Sequence, residues 1–315
     1  MPSAETYKIA AQLLHSEDII SFPTETVYGL GADARNSNAV EKIYDAKERP
    51  LYNPLIVHVA NVNAAHQYVI MNDLAKKLAC AFWPGPFTMV VPLNKENELS
   101  ELITAGLDTV AIRVPENNIV QDLLHHFNGP IAAPSANKSG KVSPTTAAHV
   151  AGEFGQELKM IIDGGPCKKG IESTIVRIDS DQIILLRPGN ITVQEIEAIV
   201  NQPVVMASKD GKIVSPGQLE SHYAPSTPMR LNASHVKNNE CLLTFGNTNL
   251  NDDIFSLNLS PSGDLNEAAA NLFSMIRELD ERQFSSIAVS PIPMTGLGLA
   301  INDRLTRAAA PRNKK

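Results

Sequence analysis

Lysine, arginine and hydroxyl residues set at abrupt turns are the side chains of this 315-residue chain best suited to chemistry. Lys47-Glu48-Arg49-Pro50 closes an expected helix, and Asn53-Pro54 leads straight into an apolar run at 55–59. Two prolines and Asn53 make that helix-to-strand turn stiff, a rigid mount for phosphate ligands. Lys47 and Arg49 would also complement the negative end of a helix dipole, so the tetrapeptide alone leaves both roles open. Pro134-Ser135-Ala136-Asn137-Lys138-Ser139-Gly140 follows a short apolar strand at 131–133. Ligands of open α/β sheets sit beyond strand ends, and a Gly- and Ser-rich turn there can offer backbone N–H groups to phosphate oxygens. An ordinary surface loop would have the same composition. Pro23 to Leu30 places Thr24, Glu25, Thr26 and Tyr28 beside Gly29 after the first expected strand, which suits a polar pocket wall.

Three charged or titratable residues sit in or at the ends of apolar strands. His58 lies inside 55–59, where a histidine is more often a satisfied core residue than a ligand or base. Arg113 is flanked by Val110, Ile112 and Val114. A half-buried arginine needs an anionic partner, either a ligand carboxylate or phosphate or an acidic residue of the fold. Arg187, in Arg187-Pro188-Gly189, closes another strand and could reach phosphate from its end.

The missing motifs constrain mechanism. GxxxxGK[ST], GxGxxG, GxSxG and HExxH do not occur. No covalent nucleophile is indicated. Catalysis by positioning and electrostatic stabilisation of phosphates, with a divalent ion carried by a nucleotide, fits better.

These residues need a scaffold, and the hydrophobic pattern supplies one. Strands are expected at 19–22, 55–59, 87–93, 109–114, 131–133, 174–178 and 183–186, rich in Val and Ile and bounded by Pro, Gly, Asn or Asp. Helices are expected at 38–47, 62–69, 72–82, 117–126, 145–151 and 193–200, with Asn38, Asn72 and Thr192 as N-caps. Alternation of this kind makes an α/β domain. Residues 201–228 are rich in Asn, Pro, Gly, Ser and Lys with little periodicity, the composition of a linker. A second α/β pattern follows, with strands at 241–245, 254–257 and 287–290 and helices at 265–279 and 300–309.

Hydrophobic residues make up 43% of the chain and charged residues 19%, an ordinary globular composition. The formal net charge is −7, which counts against a protein that coats nucleic acid. All of that excess lies in residues 1–200, which hold 16 Lys and Arg against 23 Asp and Glu. Sparse aromatics, 5%, disfavour a stacking platform for single strands. Cys80, Cys167 and Cys241 are far apart, with neither a CxxC nor zinc spacing. With no signal-peptide pattern and no span-length apolar run, the expectation is a soluble cytoplasmic protein.

The segments PTETVYGLGADA (23–34), KERPLYNPLIVHV (47–59), WPGPFT (83–88), VAIRVP (110–115), APSANKSG (133–140), STIVRI (173–178) and LRPG (186–189) together resemble the YrdC/Sua5 family. Lys47 and Arg49 match its KxR pair, and Ser135 and Asn137 its SxN pair. SPGQLESHYAP (215–225) and GLGLAINDRLTRAA (296–309) resemble the longer, two-domain Sua5 branch. The resemblance implies a YrdC-like twisted open mixed sheet with helices over 1–204. It also implies a linker and active-site lid over 205–228, and a smaller Rossmann-like α/β domain over 229–315. The implied activity is that of an L-threonylcarbamoyladenylate synthase, a nucleotidyltransferase that makes threonylcarbamoyl-AMP and pyrophosphate from L-threonine, bicarbonate or CO2, and ATP. The product would pass to separate tRNA threonylcarbamoyl transferase machinery, with no membrane and no tight nucleic-acid binding of its own.

Carried over by position, the resemblance puts threonine against Thr26, His58, Arg113, Ala133 and Ser173. ATP falls against Lys47, Arg49, Asn53, Thr109, Ser135, Asn137, Ser143, Arg187 and, from the lid, Tyr223. Lys47 and Arg49 carry the catalytic role. Mg2+ would be held by the ATP phosphates rather than by protein side chains. Gln218 stands where the family usually has Met, which leaves lid packing open. Two rivals remain, an RNA-binding module of YrdC type and a carbamoyl-transferring enzyme of the hydrogenase-maturation kind. The second is disfavoured by the missing Cys motifs.

Overall fold

A computed structural model describes residues 2–208, 215–217, 221–247, 254–282 and 284–311; Gln218 and parts of the expected lid lie outside the described residues. The first unit opens with α1 (Ala4–His15), a helix that the strand-and-helix reading above does not contain. Ser3 and Thr6 form a reciprocal cap, and Tyr7, Ala10, Ala11 and Leu14 recur at helical spacing to form its buried face.

The chain then alternates through β1 (Ile20–Pro23), β2 (Tyr28–Asp33), α2 (Ser37–Lys47), β3 (Ile56–His58), α3 (Val62–Ala65), α4 (Asp73–Phe82), β4 (Phe87–Pro92), β5 (Thr109–Arg113), α5 (Asn118–Phe127), β6 (Ile131–Ala132), α6 (Ala147–Phe154), β7 (Thr174–Asp179), β8 (Gln182–Arg187), α7 (Val193–Val200) and β9 (Val204–Met206). These strands form one mixed sheet in the order β1-β2-β6-β3-β5-β4-β7-β8-β9. Asn72 and Thr192 cap α4 and α7, but α2 is capped by Asn36, whose side chain accepts from Ala39 N. Asn38, the expected cap, lies inside the helix.

β2 was expected only as a pocket wall. Its Tyr-Gly-Leu-Gly sequence has weak strand propensity, and long-range packing overrides it: a Cβ on Gly31 would sit 2.4 Å from the Phe22 ring on the paired strand β1. β9 pairs parallel with β8, so the first sheet runs two residues into 205–228, the expected linker and lid. Valine side chains can extend a sheet without the longer periodic pattern that sequence reading looks for.

After the linker come β10 (Met229–Arg230), β11 (Glu240–Thr244), β12 (Ser256–Asn258), α8 (Leu265–Glu281), β13 (Ser286–Val289) and α9 (Gly298–Ala309). The four strands pair in parallel in the order β10-β13-β11-β12, the all-parallel sheet expected of a small Rossmann-like unit, with α8 and α9 packed in one core cluster on the face of Cys241, Leu243, Ile287 and Val289. The cores of the two units are continuous: Val27, Val142 and Ile171 of the first pack in one cluster with Phe273 and Ile276 of α8 and with Tyr223 of the linker. Among the described residues, no helix is long and apolar enough to cross a membrane.

Candidate active site

Strand alternation aims the key side chains. Along β5, Val110 and Ile112 face the main core while Ala111 joins a small cluster with Ile56, Val90, Ile175 and Leu186 on the other face of the sheet. Arg113 has the parity of Ala111 and His58 that of Ile56, so both turn away from the main core. They are also direct partners in the parallel register of β3 and β5. Thr24 and Thr26 follow β1, Ser135 follows β6, Ser173 precedes β7, and Arg187 ends β8. One cavity of about 50 Å3 is lined by all of these and by Arg49, Ala133, Glu172, Gly217, His222 and Tyr223.

Arg113 finds its anion within the fold. Its Nη2 donates to Glu25 Oε1, its Nη1 to Thr26 Oγ1 at 3.2 Å and its Nε to the Gly85 carbonyl at 3.1 Å. Both partners of the ion pair are buried. Glu25 Oε2 has no partner among the described residues. His58 is buried beside this charge. Burial first and the Arg113 guanidinium second push its imidazole down to about 3, so it is neutral across the physiological range.

Three other cations are treated differently. Arg49 Nε and Nη2 donate to the carbonyls of Asn53 and Pro54 at 3.0 and 2.8 Å. Arg187 Nε and Nη2 donate to the Ser173 carbonyl at 3.1 and 2.9 Å. Lys47 Nζ donates to the carbonyls of Ser135, at 2.5 Å, and Asn137. All three are buried, and among the described residues none has a carboxylate within ion-pair distance. Burial holds the Lys47 ammonium well below its ordinary value, with Arg49 adding to the effect, and brings Arg49 down to about 10. Arg187 Nη2 also donates to Ser173 Oγ at 3.1 Å, but among the described residues none of the three makes an ion pair, and a polyanion would supply the direct partner they lack.

The structure does not bring every expected residue to the cavity wall. Arg49, Ser135, Arg187 and Tyr223 line it, as do Thr26, His58, Arg113, Ala133 and Ser173. Lys47 sits behind the wall, tying down the turn that carries Ser135 and Asn137. Asn137 donates from Nδ2 to the carbonyls of Lys138 and Lys141. The Asn53 amide is buried with neither end partnered among the described residues. Ser143 Oγ donates to Glu172 Oε1 at 2.5 Å and so reaches the cavity only through Glu172. Thr109 lies at the opposite end of β5 from Arg113, paired with Pro92, about 13 Å away along the strand. Thr109 does not line this cavity.

Sequence reasoning missed four contributors. Glu25 was placed on the wall but not as the partner of Arg113. Glu172 immediately precedes Ser173, and His222 immediately precedes Tyr223, so neighbouring position was the available signal for both. His222 is buried with its ring 4.0 Å from that of Tyr223, and burial pushes it down to about 3. Arg304 of α9 gave no local signal: its Nε donates to Glu172 Oε2 at 2.8 Å from the other unit of the protein.

The family model described as Telomere recombination matches residues 12–189, and that described as Threonylcarbamoyl-AMP synthase, C-terminal domain, matches residues 191–310. The chain belongs to the YrdC/Sua5 family. The two matched regions meet ahead of β9, whereas the first sheet continues through it. Among Sua5 relatives, the threonylcarbamoyl-AMP synthase of Bacillus subtilis is 40% identical over 96% of this chain and 92% of its own. The synthase of Pyrococcus abyssi is 38% identical over 97% of this chain and 94% of its own. The crystal structure of P. abyssi Sua5 complexed with L-threonine superposes with a TM-score of 0.89 at 35% identity, covering 98% of this chain and 95% of that one. The two-unit α/β fold is therefore that of the Sua5 branch.

Proposed function

We propose that the chain is an L-threonylcarbamoyladenylate synthase, forming threonylcarbamoyl-AMP and pyrophosphate from L-threonine, bicarbonate or CO2, and ATP. The observation that carries this reading is the meeting of two half-sites around one cavity. One half is the clamped Arg113 with neutral His58 and Thr26. The other is the set of buried cations Lys47, Arg49 and Arg187, which lack carboxylate partners among the described residues.

In this reading the threonine carboxylate docks on the free N–H edges of Arg113, whose orientation is fixed by three other bonds. The amine adds to CO2, forming the N–C bond of a carbamate and losing a proton. A carbamate oxygen then attacks the α-phosphorus of ATP, and the bond to the β-phosphate oxygen breaks to release pyrophosphate. Arg49 and Arg187 stabilise the charge that gathers on the departing phosphates, in a site where low dielectric strengthens the effect. Neutral His58 packs beside the amino acid without adding charge. Tyr223 and His222 close the linker over the nucleotide half and exclude water from the labile carbamate.

The donor set suits phosphates better than a bare metal. Glu172 is the one acidic residue lining the cavity among the described residues, and its oxygens are taken by Ser143 and Arg304. No group of three or more His, Cys, Asp or Glu among the described residues is placed to hold a metal ion. Mg2+ would enter with ATP, on its phosphates, and supply charge neutralisation there. The product would be handed to separate tRNA-modifying proteins. The test is pyrophosphate release with threonine, bicarbonate and ATP supplied together or with one withheld, with and without a chelator. Release is expected only with all three and a divalent ion; release indifferent to threonine would overturn the proposal.

A further inference from the structure

Arg304 is the largest fully buried side chain among the described residues and belongs to α9 of the second unit. A guanidinium that is costly to desolvate has been carried across the junction between units to a cavity wall. Its Nε donates to Glu172 Oε2 at 2.8 Å, and its Nη1 to Asp303 Oδ2 at 2.6 Å. Its Cζ stands 5.1 Å from the centre of the Tyr223 ring, within cation–π range. Its Nη2 is buried with no partner among the described residues. The other oxygen of Glu172 accepts from Ser143.

The surroundings are built for this reach. Gly170, at φ 72°, lies against α8 so closely that a Cβ would meet Ala269 O at 2.4 Å. The loop carrying Glu172 is therefore seated directly on the second unit, with Ile171 in the shared core. Tyr223 stacks on Phe273 of α8, ring centres 5.5 Å apart, and itself holds a left-handed φ of 61°. A non-glycine residue in that region needs its surroundings to hold it there. Within the cavity, burial pushes the Glu172 carboxyl up, but the charges of Arg304 and Arg187 outweigh it and hold the carboxylate ionised.

We propose that Arg304 is a positioning residue for the nucleotide half of the site, fixing Glu172 with Ser143 and carrying the Tyr223 ring, so that the second unit completes the active site. The proposal rests on the synthase reading for the identity of that half. Its specificity follows from the contacts. Ser143 and Tyr223 touch Glu172 or Arg304 directly, whereas among the described residues the threonine-side residues Thr26, His58 and Arg113 have no hydrogen bond or ion pair with either, and the Ser173 hydroxyl, next along the chain from Glu172, bonds instead to Thr88 and Arg187.

The experiment measures binding of a non-hydrolysable ATP analogue and of L-threonine separately, by calorimetry, for Arg304→Met, Arg304→Lys, Glu172→Gln and Glu172→Gln/Arg304→Met. Arg304→Met and Glu172→Gln should each weaken the ATP analogue about tenfold or more while threonine affinity stays within about twofold. The double variant should lose no more than the worse single variant, because both act through one contact. Where Arg304→Met does not fold, Arg304→Lys, which keeps charge and volume but loses the planar fork, takes its place. Equal losses for both ligands, no loss for the analogue, or losses that multiply in the double variant would overturn the proposal. Binding is read without turnover. A wild type that binds both ligands but releases no pyrophosphate would sink the synthase reading and leave the positioning result standing.

Discussion

Arg113 and Glu25 form a buried ion pair at the Thr26 and His58 end of the cavity, with Nη2 of one donating to Oε1 of the other. The pair neutralises a charge that sits in an apolar strand, and it also turns the guanidinium into a fixed fork. Arg113→Ala should raise the apparent KM for threonine well above that for ATP. It also strands the Glu25 carboxylate, and breaking a buried pair from one side costs about 3–5 kcal/mol. Glu25→Gln/Arg113→Ala should regain melting temperature but not threonine affinity. Equal KM changes for the two substrates, or recovery of both properties together, would show the carboxylate role to be misassigned.

Lys47 makes a different prediction because its ammonium is spent on two backbone carbonyls, those of Ser135 and Asn137. Lys47→Met should leave the Asn137 carbonyl without a donor among the described residues and the Ser135 carbonyl with the Asn137 N–H alone, at 3.0 Å, a loss of about 1–3 kcal/mol offset in part because a charge is no longer buried. Melting temperature and ATP-analogue affinity should fall together as the turn loosens. Loss of nucleotide affinity at unchanged melting temperature would mean that Lys47 acts directly on phosphate.

Two fully buried histidines contribute to the acid side of the stability curve, beside half-buried His149, which burial pushes down to about 4. His58 and His222 are each held near about 3, against about 6.5 in an unfolded chain. As pH falls below about 6.5 the unfolded chain takes up protons that the native state refuses, so stability is full above that value and is lost progressively toward pH 3. The slope is at most about 1.4 kcal/mol per pH unit for each histidine. Calorimetric melting at pH 7.5 and 5.0 should show a fall that is smaller in His58→Gln. An identical slope in that variant would remove His58 from the explanation.

Periodicity and spacing in the chain alone determined the α/β class, most strands of the first sheet, the second unit and the cations at turns and strand ends. Those are local properties, set by which residues recur every two or every three to four positions and by Pro and Gly at their boundaries. Family resemblance of the segments around Lys47, Ser135 and Arg187 added the chemistry. Only tertiary structure decided what each cation faces. Arg113 meets Glu25 across 88 positions, Lys47 meets Ser135 across 88 and Arg304 meets Glu172 across 132. Such pairs depend on the order β1-β2-β6-β3-β5 and on how the second unit docks, neither of which local pattern encodes. Thr109 and Arg113 show the limit well: they share one strand, yet they lie at its opposite ends, and of the two only Arg113 lines the cavity. β2 shows the converse, a strand whose glycines are disfavoured locally and held in place by Phe22 packing across them.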